Sequence, residues 1–242
     1  MLHQHFTLMI MEGVMKAVIL AAGEGTRMRP ITYTTPKPLI KILGKPILEY
    51  NFDIVKDKVD EIIVVVGHLK EKIIEYFGDS YDGVKLTFIT QKQLRGTADA
   101  VDEVKEYIPD GFILLMGDSI YDRRDLEECL KFELSILAIE VDEPEKFGVF
   151  RLEDNRIIEI VEKPEEYVSN LANAALYVLD RDIFDEIEKL ELSPRGELEL
   201  TDAITALARK RPVHCVKSKG HWIPIGYPQD IEKAEKILKE EE

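Results

Sequence analysis

Cysteine is nearly missing from this 242-residue chain: Cys129 and Cys215 stand far apart, and neither belongs to a C-x-x-C pair or a Cys/His cluster. Such spacing argues against a zinc ribbon or a disulfide framework and fits a chain kept in the reducing cytoplasm. Positive charge is also short. Against 47 Asp and Glu there are 32 Lys and Arg, a formal net charge of −15, so most of the surface would repel nucleic acid and anionic membrane, and neither is an expected partner. No apolar run approaches transmembrane length, and the opening MLHQHFTLMIMEGV lacks the basic segment and small-residue cleavage site of an export signal. Residues 1–14 read instead as an optional extension ahead of Met15, with His3 and His5 in a tail rather than in a metal site. Glycine and proline, 14 and 11 residues, are too few for low complexity, and there is no internal repeat or linker-like stretch.

What the chain does have is apolar periodicity. Hydrophobic residues make up 45% of it and charged residues 33%, which suffices for a sizeable core in one domain. KAVIL (16–20), EIIVVVG (61–67), VKLTFIT (84–90) and FILLMGD (112–118) read as strands, the second and fourth apolar enough to be buried on both faces. Between them PILEYNFDIVKDKV, LKEKIIEYF and TADAVDEVKEYI carry apolar residues at helical spacing. This alternation predicts an α/β fold with a mostly parallel, Rossmann-like open sheet and helices on both faces. The pattern then changes. ELSILAIEV precedes FGVFRLEDNRIIEIVEKP, whose alternating runs flank a turn signal at Asp154-Asn155, so a smaller mixed β-hairpin extension should add a wall to the same cleft. NAALYVLD reads as a further strand, and DIFDEIEKL and TDAITALARK as helices. The final helix, YPQDIEKAEKILKEEE, would turn Ile231, Ala234, Ile237 and Leu238 towards the body.

In open α/β sheets ligands bind beyond the carboxyl ends of the strands, which is where AAGEGTR and GDS fall. LAAGEGTRMRPITYTTPKPL (20–39) runs from an apolar strand into two glycines and several cations, a composition suited to an anion. It is not a P-loop, because Gly23 is followed at the required interval by Met28 rather than by glycine. The same Met28 removes the third glycine of a dinucleotide fingerprint. What stays is G-x-G-T-R followed by P-K-P. Glycines let backbone N–H groups approach phosphate oxygens, while Arg27 offers a planar fork and Lys37 a point charge. Arg29 and Lys41 stand open between ligand cations and partners of nearby carboxylates. Asp118, ending a buried run, is the strongest metal candidate, since a carboxylate at that strand end points into the cleft and suits Mg²⁺; a helix N-cap is the competing role. Asp122 is a spare carboxylate close by.

The segment AVILAAGEGTRMRPITYTTPKPLIKILGKPILEY resembles the signature of sugar-1-phosphate nucleotidylyltransferases, the family of glucose-1-phosphate thymidylyl- and uridylyltransferases. QKQLRGTADAV, LLMGDS, FGVF, VEKP, NAALYV and GELELTDAI follow in the family's order, each weak alone and specific in series. The resemblance implies a single nucleotidyltransferase domain over residues 15–242, with a nucleotide-binding part at about 15–132 and a sugar-binding part at about 133–242. It implies that Leu20, Ala22, Gly23, Gly25, Thr26 and Arg27, with Lys37, hold a nucleoside triphosphate. Gln91 would read a pyrimidine edge, helped by Gly96 and Thr97, a task that suits an amide offering donor and acceptor together. Gly148, Glu162 and Asn173 would contact the sugar, and Lys163 the phosphate of a sugar 1-phosphate. Arg27, Lys37, Asp118 and Lys163 would be the catalytic set, with Mg²⁺ on Asp118 as cofactor.

One departure stands out. Thymidylyl-type relatives often carry a second metal-binding aspartate in W-x-D-x-G, where this chain has HWIPIG with Pro224. Asp118 would then act with nucleotide and water alone, Asp230 or another carboxylate would compensate, or the metal-dependent step would be impaired. His221 and Trp222 would either wall the sugar pocket or pack in the core. The sequence leaves UTP and dTTP undivided, and a homo-oligomer open. Two other readings stay alive: a nucleotide-sugar sensor without catalysis, and a cytidylyltransferase for another alcohol phosphate. The chain ends soon after the matching segment, so the acetyltransferase half of bifunctional relatives is expected to be absent.

Overall fold

The computed structural model describes residues 15–241, so the expectations for residues 1–14, including His3 and His5, lie outside the described residues. The first half builds β1 (Lys16–Ala21), β2 (Lys41–Ile42), β3 (Lys45–Pro46), α1 (Ile47–Val55), β4 (Glu61–Val66), α2 (Lys70–Phe77), β5 (Ser80–Tyr81) and β6 (Val84–Thr90). It continues through α3 (Thr97–Asp102), β7 (Phe112–Met116), β8 (Ser119–Tyr121) and α4 (Arg123–Cys129). The second half holds β9 (Ser135–Glu140), β10 (Gly148–Glu153), β11 (Arg156–Glu162), β12 (Leu171–Leu179), α5 (Asp182–Ile187) and α6 (Leu200–Ala208). β13 (His214–Lys217), β14 (Trp222–Pro224) and α7 (Gln229–Glu240) close it.

Ten strands form one sheet in the order β10-β11-β13-β9-β12-β7-β1-β4-β6-β5. β7, β1, β4 and β6 are parallel, with Lys16 opposite Glu61 and Phe112 and with Leu20 opposite Val65 and Met116. Every residue of β4 is buried, because a parallel strand covered on both faces has no solvent side. Beyond β7 the expectation of a mostly parallel sheet needs correction. β12 runs antiparallel to β7 and β9, and β10 and β11 are antiparallel to each other, while β13 and β9 are parallel. The β10–β11 pair turns at Asp154, whose φ of 54° lies in the left-handed region that aspartate tolerates. Its strands belong to the same sheet rather than to a separate layer, because β12 joins β10 as well as β7.

Alternation along the strands separates two cores. Val18, Ile63, Val65 and Leu114 face Val101, Phe184 and Ile204 of α3, α5 and α6 on one side. Ile19, Ile62, Val64 and Leu115 face Phe52, Ile73 and Leu126 of α1, α2 and α4 on the other. A third cluster bears on the site. Met28 sits fully buried with Ile40, Ile42, Ile120, Ile223, Ile225 and Ala234, and Ile231, Ile237 and Leu238 of α7 pack against it. The final helix therefore braces the glycine loop from behind.

The open end of β1 is pinned by charge. Glu61 accepts from Lys16, from Lys85 at 2.7 Å and from Thr87 Oγ1 at 2.6 Å. Burial alone would raise its carboxyl, but these donors outweigh burial and hold it at about 2. A group titrating lower in the folded chain than in the unfolded one adds stability above the unfolded value and loses it as pH falls towards the folded value. Glu61→Gln should cost about 1–3 kcal/mol at neutral pH. In a series of thermal melts that difference should shrink as pH approaches 2; a gap independent of pH would contradict the assignment.

Candidate active site

Three strand ends meet at one hollow. β1 runs into Ala22 and Gly23, β6 into Gln91 and β7 into Gly117 and Asp118, and these ends are tied together where Gly117 N donates to Leu20 O and Gln91 N to Val66 O, both at 2.9 Å. Between them lies a cavity of about 400 Å³. Leu20, Ala22, Gly23, Gly25, Thr26, Arg27, Lys37, Gln91, Gly96, Thr97 and Asp118, expected from the sequence to hold nucleotide and metal, all line it. Its size is in the range of small-molecule sites.

The glycine loop has the shape its composition suggested. Gly25 adopts φ 61°, and a Cβ there would meet Thr32 Cγ2 at 3.0 Å, so the position requires glycine. Thr32 Oγ1 donates to Gly25 O at 2.8 Å and fixes the turn, which passes into a 3₁₀ turn at Thr26–Met28. Met28, the residue that breaks both phosphate fingerprints, anchors the loop in the third core cluster. Arg27 is exposed at the rim, its guanidinium carbon 5.2 Å from the ring centroid of Tyr227. Arg29 instead pairs with Glu24 at 3.3 Å and lies over Tyr33, and Lys41 is exposed on β2; neither lines the cavity.

Lys37 is buried, and its ammonium reaches Asp118 Oδ2 at 2.7 Å. The Asp118 side chain is 46% exposed, so this carboxylate keeps an open side towards the cavity. A hard oxygen donor there fits Mg²⁺, which retains waters and takes phosphate oxygens as further ligands. The other candidates are committed elsewhere. Asp122 is the N-cap of α4, accepting from Arg124 N at 2.7 Å and from the Arg124 guanidinium, whose hydrogen bonds hold its carboxyl below the usual range. It caps a helix and does not line the cavity that Asp118 faces. Asp230 Oδ2 accepts from Gly226 N at 2.8 Å and Tyr227 N at 2.7 Å at the entry to α7, outside the lining of the cavity. Pro224 itself pairs with Ser119 across β14 and β8.

The residues expected to meet a sugar form a second group outside the lining of that cavity. Gly148 and Glu162 are cross-strand partners, and Glu162 meets Arg195 at 3.1 Å. Lys163 is exposed, with φ 45° and its N–H donated to Phe147 O. Asn173 spends its side chain on a bulge in β12: its Oδ1 accepts from Ala175 N and its Nδ2 donates to Tyr177 Oη, both at 2.9 Å. Ala175 O in turn accepts from Tyr121 Oη at 3.0 Å, and Tyr121 Oη accepts from Met116 N at 3.3 Å. A chain of hydrogen bonds thus links the strand carrying Asp118 to Asn173. Trp222 packs against the second core cluster and edge-on to Phe147, and His221 lies between Glu241 and Asp122, so neither walls the cavity.

Sequence reasoning missed Tyr121, Tyr227 and Asp99. The first two carried no motif. Asp99 sits inside the quoted GTADAV segment, and its spacing of eight from Gln91 was the available signal.

Comparison with known proteins places this geometry. Bifunctional protein GlmU of Methanocaldococcus jannaschii is 46% identical over 225 residues, covering 93% of this chain and 54% of that protein. The chain thus spans about half the length of the first such relatives. UTP–glucose-1-phosphate uridylyltransferase AglF of Haloferax volcanii is 37% identical, covering 94% of this chain and 98% of that one. A UDP-glucose pyrophosphorylase solved with UDP-glucose superposes with a TM-score of 0.85 at 26% identity, over 94% of this chain and 99% of that one. The nucleotidyl transferase profile itself matches residues 16–241, and the chain belongs to that family.

Proposed function

We propose that the protein transfers a nucleotidyl group from a pyrimidine nucleoside triphosphate, UTP or dTTP, to a sugar 1-phosphate and releases pyrophosphate. One observation carries this reading: Arg27, Lys37, Asp118 and the bare amides of the glycine loop all face a single cavity. The likeness to AglF over nearly its whole length supports UTP as the donor to test first.

An oxygen of the sugar phosphate attacks the α-phosphorus, the bond to the bridging oxygen of the β-phosphate breaks, and pyrophosphate leaves. The nucleophile is already an anion at neutral pH, so positioning and charge neutralisation suffice and no general base is required. Gly23 and Gly25 admit the phosphates to backbone N–H groups. Lys37, buried beside Asp118, supplies fixed positive charge, and Arg27 at the rim meets the charge that grows on the leaving pyrophosphate. Lys163 holds the attacking phosphate, with Gly148, Glu162 and Asn173 at the sugar. Asp118 would hold Mg²⁺, which when bound neutralises phosphate charge and orients the oxygens around it. Asp118 pairs with Lys37 in the ligand-free chain, so the buried ammonium is not left without a partner.

Arg27→Ala and Asp118→Ala should each lower turnover by at least about a hundredfold, the cost of losing an electrostatic donor to a transition state. Steady-state pyrophosphate release checks this, and wild-type kinetics in either variant would remove that residue from the mechanism. The absence of a side-chain ligand at Pro224 favours a second reading, a sensor that binds nucleotide-sugars without making them. Exchange of labelled pyrophosphate into UTP or dTTP separates the two: the enzyme exchanges and the sensor does not. A panel of UTP, dTTP and CTP against glucose-, galactose-, N-acetylglucosamine- and mannose-1-phosphates, with and without magnesium, should give its highest rate with UTP or dTTP and need magnesium. A clear CTP preference would move the protein to the cytidylyltransferases.

A further inference from the structure

Gln91 is nearly buried at 9% exposure, and the amide it offers the cavity has lost half its freedom of choice. Its Nε2 lies 3.1 Å from Asp99 Oδ2 and 3.4 Å from Gly96 O. A carboxylate and a carbonyl can only accept, so both N–H bonds of the amide turn inward and Oε1 is the end left for a ligand. Reversing the amide would set three acceptors against one another in a nearly dry corner, where an unmet polar contact is costly.

Asp99 is placed for more than helix electrostatics. It stands in the first turn of α3 and is 6% exposed. Its Oδ1 already takes both Arg95 Nε at 2.9 Å and Nη2 at 2.6 Å, which satisfies that oxygen at a helix start. Its second oxygen is spent on Gln91. The corner is rigid: Leu198 N donates to Arg95 O at 2.6 Å and Ala98 N to Leu198 O at 3.0 Å. Gly96, with φ 122°, lies so close to that segment that a Cβ would stand 2.5 Å from Leu198 O. Among the described residues the Gly96 N–H has no acceptor, which sets a free donor next to the fixed acceptor of Gln91.

We infer that Asp99 is a positioning residue that locks Gln91 with its acceptor towards the ligand, and so sets the cavity for a base edge carrying a ring N–H beside a carbonyl. Uracil and thymine present that edge through N3–H and its flanking oxygens. Cytosine puts a bare lone pair at N3, acceptor against acceptor, and would have to slide along its edge to offer its amine instead. This deepens the reading of Gln91 as the base contact and rests on it. It also gives a physical reason, within one residue pair, for the protein to refuse CTP.

Titration calorimetry of UTP and CTP against wild type and Asp99→Asn tests the lock. Asparagine keeps the shape of aspartate but can donate as well as accept, which frees Gln91 to turn over. Wild type should bind UTP at least about tenfold more tightly than CTP, and in Asp99→Asn that ratio should fall at least about fivefold, chiefly because CTP gains. An unchanged ratio, or equal weakening of both nucleotides, would reduce Asp99 to a structural role and overturn the inference. Wild type alone supplies a second measurement that needs no variant to fold: N3-methyl-UTP, which lacks the donor, should bind at least about tenfold more weakly than UTP, and equal binding overturns the lock. Because the readout is binding, the two proposals fail separately. Preference for UTP over CTP without nucleotidyl transfer sinks the activity and keeps the lock, while turnover of both nucleotides with equal affinity keeps the activity and sinks the lock.

Discussion

The ion pair between Lys37 and Asp118 is the contact around which the rest of the site is arranged. A lysine buried to this depth needs a carboxylate, and Asp118 at the end of β7 supplies it in the ligand-free chain. Under the proposed function a triphosphate would bring negative charge for Lys37 to meet. On that reading Asp118 would be freed for a divalent ion, and the pair would exchange one set of partners for another without leaving the buried ammonium bare. A protein with a formal net charge of −15 would hold a polyanion only in such a cavity, where the local cations and backbone amides count for more than the distant acidic surface.

That arrangement depends on packing outside the cavity. The glycine loop is held by Met28 in a cluster that includes Ile223 and Ile225, and Ile225 N donates to Asp118 O at 2.9 Å. α7 covers the same cluster. The strand carrying Asn173 is reached from the other direction through Met116, Tyr121 and Ala175, so the two groups of candidate residues are joined by one hydrogen-bonded path.

The sequence made the glycine-loop end of this cavity legible because its requirements are local. A left-handed glycine, a threonine and an arginine in one turn, or an aspartate closing an apolar strand, show themselves within a few residues. Residue type alone failed where the same side chain serves two purposes. Arg29 resembles Arg27 but pairs with Glu24, and Asp122 and Asp230 resemble ligands but are occupied by backbone donors at helix starts. Asp99 and Tyr121 escaped because their roles arise between elements. The mixed half of the sheet was hidden for a related reason: alternation marks β10 and β11 as strands but does not say that β12 will stitch them to β7.

The most direct measurement is a crystal structure of the protein with UTP and magnesium. The phosphates should lie against the Gly23 and Gly25 N–H groups and Lys37, with the ion on Asp118 and the Lys37–Asp118 contact opened. A triphosphate seated in another hollow, or bound here with Lys37 and Asp118 still paired and no ion between protein and phosphate, would contradict the convergence of charge on which the proposed chemistry is built.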